Sequence, residues 1–278
     1  MEKKYKLTEE TINVCGRTLH RIEALINFND VEKGDKGGYV EKEENLSQRC
    51  NCWVYGNAMV CDDARVYGDA VVCDKAKVYD NVVVSDKATI SGDTEIFNSA
   101  EVYGNAKICD NAVVFDSAQV YGDAVVYGYT MVFGNARVYG NAEVYETARV
   151  YGNAKVRGNA MVYGDAVVCD NAKVWMDAKV RGKAKIFDDV RIYDNAKVYD
   201  DAVVYGNSEV YNNAEVFSNA EVFGNAMIYG NAMVCGNAWV CGNAEVCGNG
   251  AVYGMAMVYG NAEIYGDREV HGNEKVGE

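Results

Sequence analysis

From Val54 onward the chain repeats a six-residue pattern of apolar and polar positions. Steps of six from Val54 reach Val60, Val66, Val72, Val78, Val84 and Ile90, then onward to Ile264, Val270 and Val276; all 38 positions are Val or Ile, with no insertion between them. The position four residues later, starting at Ala58, is Ala in 29 of 37 cases, and the two positions before it are mostly Gly, Asn or Asp, as in Gly56-Asn57 and Gly122-Asp123. A helix needs a period of 3.6, which six does not supply. A β-branched residue at every sixth position instead favours short extended segments with that side chain turned inward. Gly, Asn and Asp tolerate positive φ, so each pair can turn a corner, and Ala is small enough to sit inside beside it.

Three six-residue sides close a triangular turn, so each turn is made of three hexads. The 38 hexads then give about 12.7 turns, roughly 60 Å of stacked strands at an interstrand spacing of about 4.8 Å. The pattern predicts an all-β parallel β-helix of 12–13 turns over residues 54–278, preceded by a capping region over 1–53. Within that region Thr18–Leu25 has strand character, and Gly34-Asp35-Lys36-Gly37-Gly38 reads as a loop. At the other end Arg268 and Glu274 stand where the repeat puts inward Ala, which predicts a stop to stacking.

The hexad resembles that of the hexapeptide-repeat proteins over residues 54–276, although an aromatic residue, not Gly, directly follows the aliphatic one. The resemblance implies a left-handed coil, whereas ordinary crossover rules favour the right-handed form. Phe28-Asn29-Asp30-Val31, Gly37-Gly38-Tyr39-Val40, Asn45-Leu46-Ser47-Gln48 and Cys52-Trp53-Val54-Tyr55 are similar to the N-terminal cap of the YdcK-like branch of that family. Those proteins, from bacterial and prophage-type contexts, are designated acyltransferases. A cap is needed because the end strands of a solenoid present unpaired N–H and C=O groups.

Composition narrows the classes further. The chain of 278 residues carries 27 Lys+Arg against 41 Asp+Glu, a net charge of −14, with 28 Gly, no Pro and 21 Tyr against 7 Phe. No stretch approaches the roughly 18 to 20 apolar residues of a membrane span, and the first ten residues lack a signal-peptide core. A cytoplasmic protein is expected. The acidic balance disfavours nonspecific coating of nucleic acid. No two of the ten cysteines lie three hexads apart, and Cys235, Cys241 and Cys247 fall on three different faces, so reduced structural thiols are expected, with no metal site and no cofactor. The Gly34–Gly38 stretch leads into a strand pattern, not a helix start, which argues against phosphate-loop chemistry.

Family enzymes use a His general base and loops that leave the coil. This chain has only His20, in the cap, and His271, in the last turn, and no insertion builds a pocket wall. No catalytic residue is therefore assigned.

The outward face says more. Residues flanking each inward aliphatic point to solvent, and steps of three hexads align Arg137/Tyr139, Lys155/Arg157, Lys173/Trp175 and Arg191/Tyr193. Elsewhere on this face the first position includes Glu101, Gln119, Glu209, Glu245 and Glu263, and Tyr67, Tyr103, Tyr121, Tyr211 and Tyr229 extend the aromatic column. Stacked like charges cost free energy unless something offsets them. Asp170, Asp177, Asp188, Asp189 and Asp194 at the corners could neutralise them; otherwise the eight stripe residues mark a site for an anionic ligand, a nucleotide or nucleic acid, or an acidic protein surface. Outward Met227, Met233, Trp239 and Met257 add exposed apolar area that favours a partner or a homo-oligomer. The leading expectation is a non-enzymatic binding scaffold, of phage or prophage interaction or inhibitor type. The alternatives are an acyltransferase with sites at subunit interfaces and an acidic nucleic-acid mimic.

Overall fold

The computed structural model describes residues 2–277 of a chain that divides into two compact units, Met1–Asn135 and Ala136–Glu278. In each unit the hexads form two- to four-residue strands distributed over three parallel sheets, and each strand pairs with the third one after it, as Thr89↔Lys107 and Lys173↔Arg191 do. The protein is an all-β parallel β-solenoid of about 13 turns. The one helical element among the described residues is a 3₁₀ turn, Glu43–Asn45.

The core follows from the repeat. Every aliphatic side chain at six-residue steps from Val54 to Val270 is buried, and the Ala column beside it is buried from Ala58 to Ala262. Where Ala is replaced inside the coil, Val82, Thr94, Thr130, Val190 and Ser208 take its place at 0% exposure, and Gly250 is buried at the same position of its hexad. Arg268 and Glu274 are exposed. Backbone hydrogen bonds run from turn to turn, the N–H groups on either side of an inward aliphatic donating to carbonyls of the next turn, as from Trp53 to Ala70 at 3.1 Å and from Lys155 to Ala172 at 2.9 Å.

The corners explain the Gly, Asp and Asn. All 37 residues at six-residue steps from Gly56 to Gly272 have positive φ, and 15 of them are not glycine. Aspartate at such a corner has a second use. Its carboxylate accepts the amide of the corner one turn on: Gly104 N–H to Asp86 at 3.0 Å, Asn98 to Asp80 at 2.9 Å, Asn212 to Asp194 at 3.1 Å. The adjacent position forms amide ladders, such as Asn141 to Asn159 to Asp177 and Asn213 to Asn231 to Asn249 to Asp267.

The N-terminal region converts an antiparallel hairpin into the parallel coil. β1 (Tyr5–Val14) pairs antiparallel with β2 (Arg17–Ala24), β2 pairs antiparallel with β3 (Lys36–Val40), and β3 pairs parallel with Met59–Val60. The strand expected around Thr18–Leu25 is present. The expected Gly34–Gly38 loop is corrected in part, because Lys36-Gly37-Gly38 belong to β3. A Cβ on Gly38 would lie 2.5 Å from the Ala58 carbonyl oxygen, and one on Gly37 would lie 2.5 Å from that of Val54. These glycines permit close approach of the backbones, not a turn. On a second side of the coil, buried Asn45 donates to the carbonyls of Asp62 and Ala64 at 3.0 and 2.9 Å. Lys4, 2% exposed, donates to the Cys52 carbonyl at 2.8 Å, and its burial lowers the ammonium pKa.

Two substitutions test this reading. Val156→Asp buries an unpaired charge at a fully buried position and is expected to cost several kcal/mol; an unchanged melting temperature would contradict the register. Met176 occupies a corner at φ +60°, a conformation that disfavours side chains by roughly 1 kcal/mol. Met176→Gly is therefore expected to raise the melting temperature, and a lower one would show that the corner carries no strain.

Candidate functional site

The basic and aromatic residues of the stripe lie within the second unit, on one sheet. Four-residue strands Arg137–Gly140 and Lys155–Gly158 set Arg137 beside Lys155 and Tyr139 beside Arg157. Lys155 pairs in register with Lys173, Lys173 with Arg191, and Arg191 with Glu209. All eight predicted residues are thus brought into two adjacent columns, one of four cations and one in which Arg157 stands among Tyr139, Trp175 and Tyr193.

The aromatic column is a ring stack. Trp175 lies over Tyr193 with centroids 4.6 Å apart and planes 7° from parallel, and Tyr193 continues to Tyr211 and Tyr229 at 4.9 Å per step. Each pair adds contact beyond the area that it buries. Arg157 closes this stack, its guanidinium 5.6 Å from the Trp175 centroid, within cation–π range.

The cation column is neutralised at one end only. Arg191 forms an ion pair with Glu209 at 2.7 Å, and the Tyr193 hydroxyl donates to the same carboxylate at 3.0 Å. Burial, reinforced by that carboxylate, pushes the Tyr193 phenol well above its ordinary range. No carboxylate among the described residues lies within ion-pair distance of Arg137, Lys155 or Lys173. The five corner aspartates, which the sequence offers as neutralisers, are engaged elsewhere. Asp170 accepts the Asp188 amide, Asp188 the Gly206 amide and Asp194 the Asn212 amide; Asp177 and Asp189 accept from Asn159 and Asn171.

A neighbouring sheet of the same unit repeats the device, and the sequence reading did not single it out. Arg181 lies 4.3 Å from the Tyr199 centroid, Tyr199 stacks on Phe217 at 4.8 Å, and Lys179 pairs in register with Lys197. Lys197 binds Glu215 at 2.8 Å and holds its carboxyl below the usual range. Steps of three hexads from Lys179 and Arg181 carry this signal in the sequence as clearly as those from Lys155 and Arg157.

Other chemistry is sparse. In the first unit a cleft of about 630 Å³ lies under the hairpin, lined by residues that include Ile12, Tyr39, Met59 and the Lys77–Glu95 pair, and an apolar cleft of about 290 Å³ adjoins it around Val14, Leu19 and Cys61. His20 lines neither; its Nδ1–H donates to the Thr8 carbonyl at 3.0 Å. His271 is exposed, 3.9 Å from Glu274. The ten cysteines are unpaired, and burial pushes the thiols of Cys73 and Cys169 up to about 11. Among the described residues no three His, Cys, Asp or Glu converge as metal ligands, and no helix is long and apolar enough to cross a membrane.

Comparison with known proteins agrees with the fold. The YdcK beta solenoid repeat family matches residues 60–74, 118–132, 190–206 and 226–242. A protein of Escherichia coli (strain K12), described as the uncharacterized acetyltransferase YdcK, is 32% identical over 79 residues, which span 23% of this chain and 24% of that protein. A solved structure from Desulfovibrio desulfuricans G20, provisionally described as an acetyltransferase, covers 84% of this chain and 67% of its own at 9% identity; its TM-score of 0.21 is too low to bear on function. The repeat and its register make the chain a β-solenoid built of hexads, and over the matched stretches it is similar to the YdcK beta solenoid repeat.

Proposed function

We propose that the protein is a non-enzymatic β-solenoid scaffold that binds an acidic partner, a protein surface or an anionic ligand, along the stripe Arg137, Lys155, Lys173 and Arg191 with Arg157 and Trp175. One observation carries this reading: Lys155 and Lys173 are stacked in register with no ion-pair partner, while the nearby aspartates hold corner amides and asparagines. Like charges so placed repel, and an external anion relieves that repulsion. The flanking aromatics Trp175, Tyr193 and Tyr139 provide a surface for planar or apolar groups. Ten unpaired thiols suit a reducing compartment such as the cytoplasm.

Acetyl transfer, the activity in the name of the Escherichia coli relative, has less support. Neither His lines a cleft, and the His20 Nδ1–H is committed to a backbone carbonyl. A general base needs a reachable substrate proton before its pKa matters.

Poly-L-glutamate is a suitable probe. The wild-type chain is expected to bind it with an affinity that falls as salt rises. Lys155→Glu combined with Arg157→Glu and Lys173→Glu is expected to weaken binding at least about tenfold at an unchanged melting temperature, because all three side chains face solvent. Absence of binding by a monomeric wild-type chain, or full affinity in the triple variant, would reduce the stripe to a solvated face.

A further inference from the structure

The cation column does not end at Arg191. In register along the same sheet it continues through Glu209, Met227, Glu245 and Glu263. Eight successive turns therefore read Arg137, Lys155, Lys173, Arg191, Glu209, Met227, Glu245, Glu263. Four cations are followed by three carboxylates and a methionine, and the change of sign falls at the middle. Among the described residues neither Glu245 nor Glu263 has a cation within ion-pair distance, just as Arg137, Lys155 and Lys173 have no carboxylate. The column is a linear dipole of charge whose two halves are complementary.

We propose that the acidic partner of the stripe is a second copy of this chain, laid face to face and antiparallel, with a two-fold axis along the strand direction between the Arg191 and Glu209 turns. This rests on the reading of the stripe as a binding surface and names its occupant. Such an axis reverses the order of turns but keeps each column opposite its own counterpart. Lys155 then faces Glu245 of the second copy, Arg137 faces its Glu263, and the two Arg191–Glu209 pairs meet at the axis. Lys173 faces Met227 of the second copy and lies one turn from both flanking carboxylates. The aromatic columns also meet: Tyr193 lies opposite Tyr211, and Trp175 opposite Tyr229. A parallel arrangement with this column against itself would set like charges against each other at every turn but that of Met227, so the order of signs selects the antiparallel one.

The area is adequate. Eight turns at about 4.8 Å and a side about 18 Å wide give roughly 700 Å² per copy, or about 1,400 Å² in all, within the usual range of stable interfaces. An isologous contact of this kind closes on itself, leaving no free end to propagate a fibre. It also covers the remaining exposed surface of the half-buried ring stack Trp175, Tyr193, Tyr211 and Tyr229.

Charge exchange tests the proposal on the full chain by sedimentation equilibrium between about 1 and 100 µM. The wild type is expected to run at twice its chain mass of 30.5 kDa. Lys155→Glu and Glu245→Lys, each placed twice in the dimer, should separately weaken it at least about tenfold, and the double variant should recover to near the wild-type value. Melting temperatures of all variants check that the coil is intact. A monomeric wild type, single variants that dimerise normally, or a double variant that does not recover would each overturn the antiparallel pairing. If the wild type is monomeric but still binds poly-L-glutamate through the stripe, the scaffold reading survives and the second copy is excluded; if neither occurs, both fail.

Discussion

The register of one backbone turn upon the next governs everything else in this molecule. Each hexad strand is only two to four residues long, too short to persist alone, and its stability comes from donating and accepting hydrogen bonds across a fixed offset to the neighbouring turns. That offset closes only if the chain bends sharply three times per turn. The bends are made at every sixth residue by left-handed backbone, which explains why Gly, Asp and Asn recur where they do. Proline, which cannot adopt positive φ and cannot donate to the ladder, is absent from the chain.

Fixed register turns a one-dimensional sequence into columns. Identical side chains then face one another at a single spacing, and each column is favourable or unfavourable as a unit. Asparagine columns become amide ladders, and tyrosine and phenylalanine columns become ring stacks such as Phe97 on Phe115 and on to Phe133. Lysine columns gain nothing of the kind. The coil resolves some of them by ending in glutamate, as Lys197 does at Glu215, or by setting a guanidinium over a ring, as Arg181 does at Tyr199. Lys155 and Lys173 are left without either resolution, and for that reason the function is sought there.

Much of this is legible in the sequence because spacing alone decides it. The Val and Ile positions, the Ala beside them and the alignment of Arg137, Lys155, Lys173 and Arg191 all follow from counting in single hexads and in threes. Features that depend on approach distance are not. Gly37 and Gly38 resemble a loop by composition, yet they belong to β3 because Val54 and Ala58 leave no room for a Cβ. The corner aspartates looked available to the lysines, since a sequence shows their charge but not the corner amides that their carboxylates accept. The overhanging hairpin and its clefts were hidden for a similar reason: β1 and β2 carry no hexad to place them against Met59 and Tyr79.

The three-hexad register is tested most directly by excision. Removing residues 85–102, one full turn, leaves every column in place and is expected to give a cooperatively folded chain with a melting temperature close to that of the wild type. Removing only residues 85–87 leaves one side of a turn too short to reach its corner, so the turns on either side cannot pair. That smaller excision is expected to lose much of the stability by circular dichroism and thermal melting. Equal damage from the two excisions, or greater damage from the longer one, would contradict a coil that closes every three hexads.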